Sequence, residues 1–170
     1  MNIEIRHEIA ADVPIIEAVT VAAFLDAHPA SHTEQFIVSG LRRAGQLTVS
    51  LVAEAAGQVI GHVAVSPVSI SDGAAGWFGL GPLSVLPEYQ RRGVGSRLMR
   101  EALNVLQRRS AAGCVVLGEP EYYGRFGFRA DSNLVLADVS AEYFQAVAFG
   151  STRPRGVVLY HAAFNSRGPG

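Results

Sequence analysis

The chain contains no lysine and only one cysteine. All 14 basic residues are arginines, which excludes Schiff-base catalysis on a lysine and every phosphate loop that depends on one. Cys114 has no second cysteine for an internal disulfide, which favours a reducing cytoplasm. No apolar run reaches the roughly 18 residues of a membrane helix, and residues 1–8 do not resemble a signal peptide. We therefore expect a cytoplasmic protein.

The composition is that of a globular protein. Hydrophobic residues make up 49% and charged residues 17% of the 170 positions, which is typical of a soluble domain with its own core. The formal net charge of −1 offers no broad basic surface, so neither nucleic acid nor a membrane is expected as a partner. We predict one domain over residues 1–165 and a loose tail over residues 166–170.

Hydrophobic periodicity indicates where strands and helices lie. It predicts seven strands, three helices and a short helical turn at 122–125, whereas residues 141–149 fit either helix or loop. Because strands outnumber helices and one strand–loop–helix unit lies at the centre, we expect an α/β domain with a mixed sheet. The predicted strands are 3–7, 47–54, 59–66, 77–85, 114–117, 134–136 and 157–160, and the predicted helices are 13–24, 34–43 and 95–109.

A glycine-containing turn joins the central predicted strand to the longest predicted helix. It follows Val85 and includes Gly93 and Gly95. Amide N–H groups at a helix start lack intrahelical partners and carry the positive end of the helix dipole, and glycines let a phosphate approach the backbone. The segment therefore predicts an anion cradle, with Arg91 and Arg92 available to neutralise further charge.

Two common phosphate loops do not fit this turn. A dinucleotide fingerprint needs a third glycine where this chain has Leu98, and a Walker loop needs a lysine. Residues 85–95, Val-Leu-Pro-Glu-Tyr-Gln-Arg-Arg-Gly-Val-Gly, instead closely resemble the Gln/Arg-x-x-Gly-x-Gly/Ala signature of GCN5-related N-acetyltransferases (GNAT). Residues 116–128 are similar to the later strand and Tyr-x-x-x-Gly-Phe element of that family, in the form of its YhbS-like branch.

The resemblance is strong over residues 77–128 and implies both a fold and a cofactor. The implied fold is a GNAT-like mixed, mostly antiparallel central sheet with splayed middle strands flanked by helices. The implied co-substrate is acetyl-CoA, without a metal, in the gap between those strands. Carried over from the family, the backbones of Leu83 and Val85 contact the cofactor arm, and the N–H of Val85 is the oxyanion donor. The CoA diphosphate is assigned to Gln90, Arg91, Arg92, Gly93, Val94, Gly95 and Ser96.

Tyr123 matches the tyrosine that in this family often acts as general acid for the departing thiolate. A tyrosine has a pKa of about 10 and a thiol of about 8.5, so full proton transfer to the thiolate is uphill by roughly 2 kcal/mol. We therefore expect Tyr123 to act as a hydrogen-bond donor that stabilises the leaving sulfur, with proton transfer only if the site shifts its pKa.

The residue that deprotonates the amine is not evident from the sequence. Many family members supply a glutamate on the central strand, but residues 77–85 contain no carboxylate. The base lies elsewhere, acts through water, or is unnecessary for a weakly basic amine. Glu119 and Glu121 are candidates, but a position in a solvated loop is the favoured interpretation of both. His62 is a further candidate, for which a hydrogen-bonded structural position is favoured.

Two further chemistries are disfavoured. His28 and His32 are four residues apart, but Pro29 interrupts a continuous helical face and no carboxylate or cysteine cluster joins them, so we expect no metal site. Ser84 has neither the elbow motif nor a partner of an acyl-enzyme nucleophile.

Together these features predict direct, ternary-complex acetyl transfer from acetyl-CoA to a primary amine of a small molecule or peptide. A non-catalytic acyl-CoA-binding sensor and a plain nucleotide-binding protein are the alternatives. Residues 26–32 and the segment after Asp131 are expected to shape the acceptor pocket. Family members often dimerise, which makes a homodimer compatible with the resemblance, although the sequence carries no interface signal.

Overall fold

The computed structural model describes residues 1–25 and 32–165. They fall into two compact units: residues 1–65, 81–102 and the segment from 162 in the first, and residues 66–80 and 103–161 in the second. The strands are β1 Ile3–His7, β2 Val49–Ala55, β3 Gln58–Pro67, β4 Ser69–Ile70, β5 Trp77–Val85, β6 Gly113–Leu117, β7 Arg129–Ala130, β8 Leu134–Val135, β9 Phe144–Ala148 and β10 Gly156–Leu159. The helices are α1 Val13–Phe24, α2 Glu34–Arg43, α3 Val94–Arg108 and α4 Pro120–Gly124.

In the first unit, β1, β2 and β3 form an antiparallel ladder. Ile3 lies opposite Ala55, and Val49 lies opposite Val65. The turn between β2 and β3 uses residues 56–57, both with positive φ angles. One face of the ladder packs on α1 and α2 through Ile16, Val19, Val38, Val52, Val59 and Ala64, with Leu47 and Leu86 packed against them.

The opposite face of β3 is covered by the first turns of α3. An added Cβ on Gly61 would lie 3.1 Å from Leu98 Cδ1 and 3.2 Å from Val94 Cγ1, so a glycine is needed for this close approach. Val94, Leu98 and Ala102 are buried, as the helical period of the sequence predicts. The start of α3, which carries the predicted anion cradle, is thereby fixed to β3.

In the second unit, β6 lies between β5 and β9. It runs parallel to β5, with Trp77 opposite Gly113, and antiparallel to β9, with Leu117 opposite Phe144. β9 also pairs with β7, while β4, β10 and β8 form a separate three-stranded sheet. The predicted mixed, mostly antiparallel pairing is confirmed. One hydrophobic core cluster of this unit contains Ile70, Trp77, Val115, Leu134, Phe144 and Val158.

Residues 141–149 are neither the helix nor the loop that the sequence left open. A short 3-10 turn over Ala141–Tyr143 leads into β9. Gln145 is buried and donates from Nε2 to the carbonyl oxygen of Gly118 at 3.1 Å. Because β9 pairs with β6 on one side and β7 on the other, distant strands decide its conformation. The predicted tail, 166–170, lies outside the described residues.

Asp12 stands directly before α1, but its carboxylate does not cap the helix amides. It accepts hydrogen bonds from Arg6 at 2.8 and 3.1 Å and from the backbone N–H of Ile9 at 2.8 Å. Arg6 also donates to Glu54 at 2.8 Å. The guanidinium thus holds the carboxylate toward β1 and away from the helix amides.

Candidate active site

The turn between β5 and α3 has the geometry of an anion-binding loop. A 3-10 turn over Pro87–Tyr89 is followed by Arg91 and Gly93, whose φ angles are 64° and 82°, and α3 begins at Val94. Nothing lies within 4 Å of a Cβ built on Gly93, so this position favours glycine for its φ angle rather than for lack of space. Left-handed residues next to a helix start direct successive N–H groups toward one point.

Several residues of this loop are exposed to solvent. Arg91, Arg92 and Gly93 are exposed, whereas Gly95 and Ser96 are half-buried. The Arg92 guanidinium carbon lies 5.8 Å from the centre of the Tyr89 ring, an arrangement that favours cation–π attraction. The loop therefore has two exposed arginines close in sequence to the positive end of a helix dipole.

The end of β5 is tied directly to this loop. Gln90 Nε2 donates to the carbonyl oxygen of Val85 at 2.9 Å, and the N–H of Leu86 donates to the carbonyl oxygen of Ile60 at 2.9 Å. Leu83 and Val85 are half-buried and alternate with the buried Ser84, so both point to the face opposite Ser84. The first unit thus brings together all the predicted cofactor residues from Leu83 to Ser96.

Tyr123 belongs to the second unit, in α4, next to the end of β6. Its ring lies on Gly118, where any Cβ would overlap it. The ring makes edge-on contacts with two other aromatic rings, with centroid distances of 5.0 Å to Tyr122 and 6.1 Å to Phe128. These contacts and the one with Gly118 restrict the orientation of the ring.

Burial raises the pKa of Tyr123 to about 12, and the neighbouring Tyr122 adds to the shift. The hydroxyl is therefore protonated throughout the range in which proteins are folded. Against a thiol of pKa about 8.5, full proton transfer becomes uphill by about 5 kcal/mol. The environment thus favours Tyr123 as a hydrogen-bond donor over Tyr123 as a general acid.

The candidate bases lie in contrasting environments. Glu119 and Glu121 are exposed, as predicted, but Glu121 lies in α4 rather than in a loop. His32 is also exposed, and His28 lies outside the described residues. Over residues 1–25 and 32–165, no three His, Cys, Asp or Glu side chains gather in a way that could hold a metal ion. In the same residues, no helix is long and apolar enough to cross a membrane.

His62 is fully buried in a hydrogen-bonded network of the first unit. Its Nε2 lies 2.8 Å from Ser50 Oγ, and Ser50 donates to Glu8 through a short hydrogen bond. Arg42 Nη2 donates to the same Glu8 carboxylate at 2.7 Å. Because Ser50 uses its proton on Glu8, His62 must be protonated on Nε2. This is the structural histidine that the sequence allowed.

The His62 network makes folding stability pH-dependent. Burial lowers the pKa of His62 from 6.5 to about 4, so the unfolded chain binds its proton more readily. The free energy of unfolding therefore falls as pH drops from about 6.5 toward 4, by about 2 kcal/mol at pH 5. Urea denaturation at pH 8 and pH 5 measures this loss.

The matched variant is His62→Gln, whose amide can still donate to Ser50 but does not titrate. The loss between pH 8 and pH 5 is expected to shrink in this variant. The pKa of Glu8 is also lowered, but that carboxylate gives up its stabilisation only near and below its ordinary pKa of about 4.3. An equal loss in both proteins would contradict the assignment to His62.

The sequence did not predict that the ring of Tyr160 packs on β5 in the second unit. Its ring occupies the space that a Cβ on Gly79 would need, and Val68 closes the same space at 3.0 Å. Burial raises the pKa of the Tyr160 hydroxyl, with further contributions from Cys114 and Tyr123. A glycine inside a strand indicates such a close approach, and Gly79 was the signal available in the sequence.

Known proteins similar to this chain belong to one family. The family model described as an acetyltransferase (GNAT) domain matches residues 46–130. The uncharacterized N-acetyltransferase YhbS of Escherichia coli K12 is 41% identical over 168 residues, covering 95% of this chain and 98% of YhbS.

Solved structures agree with this match. A GNAT family acetyltransferase from Brucella melitensis, in complex with acetyl-CoA, is 48% identical with a TM-score of 0.86, covering 96% of this chain and 98% of that one. E. coli YhbS in complex with CoA gives a TM-score of 0.88 at 34% identity in the structural alignment, which covers 99% of this chain and 94% of that one. The predicted fold class and the resemblance to the YhbS-like branch are thus confirmed, and the chain belongs to the GNAT family and is an acetyltransferase.

Proposed function

We propose that this protein transfers the acetyl group of acetyl-CoA to a primary amine in a direct ternary complex. The observation that carries the proposal is the loop before α3, where left-handed Arg91 and Gly93 precede the helix start. Relatives that share this fold bind acetyl-CoA or CoA. The donor is acetyl-CoA, and the reaction needs no metal.

The loop would bind the CoA diphosphate through residues 90–96. Backbone N–H groups and the helix dipole supply partial positive charge, and the exposed Arg91 and Arg92 supply full charges. Gln90 would act indirectly, because its side chain already donates to Val85 and so fixes the strand end relative to the loop. The backbones of Leu83 and Val85 would align the pantetheine arm, with the Val85 N–H as oxyanion donor. One such donor contributes roughly 3–4 kcal/mol.

The reaction proceeds by attack of a neutral amine on the thioester carbonyl. The new C–N bond forms, the C–S bond breaks, and its electron pair goes to sulfur, to which Tyr123 donates a hydrogen bond. Freeing an alkyl amine of pKa about 10.4 at pH 7 costs roughly 4–5 kcal/mol. β5 has no carboxylate, and Glu119 and Glu121 are exposed. We therefore assign to water both this ammonium proton and the N–H proton that the amine loses on forming the amide, while sulfur leaves as the thiolate.

Two measurements test this function. Titration calorimetry with acetyl-CoA should give heat of binding and a higher melting temperature. Thiol release in the presence of acetyl-CoA and a panel of primary amines should then show turnover. Binding without turnover on any amine would support the alternative of a non-catalytic sensor. The absence of a carboxylate on β5 motivates that alternative. Competition by ATP but not by CoA would support a nucleotide-binding protein instead.

We also place the reaction in the cytoplasm. Cys114 is a free, fully buried thiol, and burial raises its pKa far above neutrality. Such a thiol is unreactive, and a chain without disulfides fits a reducing compartment.

A further inference from the structure

A cavity of about 470 Å³ lies in the second unit, where it is lined by parts of β5, β7 and β9 and by the segment before β10. Small residues leave this space. Ala146 of β9 lies opposite Arg129 of β7, and Ala148 lies opposite Gly113 of β6. Because directly opposed residues of an antiparallel pair share a face, the two alanines lie beside the Trp77 ring, which covers Gly113.

Two arginines, Arg129 and Arg153, line the cavity. Within residues 1–25 and 32–165, the Arg129 guanidinium has no hydrogen-bond or ion-pair partner. Arg153 Nη1 donates to the carbonyl oxygens of Gly150 at 2.8 Å and Thr152 at 3.1 Å, whereas its Nε and Nη2 have no acceptor in the same residues. Both side chains thus have N–H groups for a ligand, and a guanidinium binds a carboxylate through two parallel hydrogen bonds.

One negative charge accompanies these two positive ones. Asp131 lines the cavity, and one of its carboxylate oxygens accepts from the N–H of Asn133 at 2.9 Å. No further ionised side chain is among the lining residues, so two arginines and one carboxylate give the lining a formal charge of +1. Complementarity of charge favours an occupant with a single negative charge.

The uncharged part of the lining is mainly apolar. Apart from the Ser132 hydroxyl and the indole N–H of Trp77, its side chains contain only carbon. Pockets of several hundred Å³ with apolar walls and a few polar groups are typical sites for small organic molecules. An apolar body with one carboxylate therefore matches both the walls and the charge.

The cavity adjoins the segment that supports Tyr123. Gly127 and Arg129 line it, and Phe128 between them is buried, with its ring centre 6.1 Å from that of Tyr123. An occupant that contacts Gly127 and Arg129 thus holds the residues on both sides of Phe128. The lining includes neither Tyr123 nor any of residues 83–96, so this cavity is not part of the predicted cofactor site.

We propose that this cavity is a separate binding site for a small monocarboxylic acid with an apolar body. The carboxylate pairs with Arg129 and Arg153, and the carbon chain packs on Ala146, Ala148 and Trp77. Binding at this site needs no acetyl-CoA, so the inference stands independently of the function proposed above.

Trp77 allows binding to be observed at the cavity itself, because it is the only tryptophan of the chain. Titration of the full-length, 15N-labelled protein with sodium hexanoate at constant ionic strength should shift the indole N–H signal of Trp77 until it saturates. Hexanamide has the same carbon chain without the charge and should bind about tenfold more weakly. An indole signal that hexanoate did not move, or equal affinities for the acid and the amide, would overturn the assignment.

Charge variants test the two sides of the lining. Arg129→Gln should weaken hexanoate binding by about tenfold, and Arg129 is exposed, so the fold should tolerate the change. Arg155→Gln is the matched control, because Arg155 is an exposed arginine of the same unit that does not line the cavity. Its affinity for hexanoate should equal that of the wild type.

Asp131→Asn should instead strengthen hexanoate binding by roughly threefold. It removes a carboxylate beside that of the ligand and keeps the acceptor for the Asn133 N–H, and damage to packing does not produce a gain in affinity. Unchanged affinity in Arg129→Gln, an equal loss in Arg155→Gln, or a loss in Asp131→Asn would each show that the carboxylate is not bound between these side chains.

Discussion

Replacing Gly95 with aspartate is expected to weaken the binding of CoA by on the order of 100-fold or more. Gly95 lies in the first turn of α3 and is half-buried. A carboxylate about 4 Å from a diphosphate repels it by roughly 4 kcal/mol at the effective dielectric of a protein surface. Calorimetric titration with CoA measures the loss.

The fold is not expected to suffer from this change, because an acidic residue in the first turn of a helix is favoured by roughly 0.3–1 kcal/mol. Gly95→Ala separates the effect of bulk from that of charge. Asn104→Asp adds the same charge at an exposed position of the same helix and should leave the affinity unchanged. If Gly95→Asp bound CoA like the wild type, the diphosphate would have to lie elsewhere.

Tyr123→Phe is expected to lower kcat by about 100-fold while the Kd for acetyl-CoA changes little. The phenylalanine ring keeps the contacts with Gly118, Tyr122 and Phe128, so only the hydroxyl is lost. Positioned proton donors contribute roughly 100- to 10,000-fold. We expect the lower end, because the raised pKa makes this hydroxyl a hydrogen-bond donor rather than an acid.

The pH dependence of kcat separates these two roles. With a pKa of about 12, Tyr123 stays protonated below that pH, so it should cause no fall in kcat between pH 6 and 10. Tyr122→Phe is the control, because it removes the adjacent hydroxyl of α4. A basic limb that was present in the wild type and absent in Tyr123→Phe would show that Tyr123 ionises during turnover, contrary to this expectation.

Most of the first unit could be predicted because its signals are local. The bounds of α2 agree with the prediction at both ends, and α3 begins one residue earlier than predicted. Amphipathic helices and glycine turns are encoded within a few residues of themselves. The loop at residues 90–96 belongs to the same class, since its two glycines and the helix start lie within one short window of sequence.

The features that escaped prediction depend on residues far apart in the chain. β9 is a strand because β6 and β7 pair with it, not because of its own periodicity. The hydrogen-bonded network around His62 combines residues from β2, from α2 and from the segment after β1. Such arrangements follow from tertiary pairing, which no short window of sequence contains.

The contact between Gly118 and Tyr123 also has an evolutionary meaning. Any larger residue at position 118 would push the aromatic ring out of its place. Among descendants of a common ancestor, the glycine and the tyrosine should therefore be inherited together or lost together. A homologue with alanine or serine in place of the glycine should have dispensed with the phenol as well, and such paired replacements would mark lineages that activate their leaving group by other means.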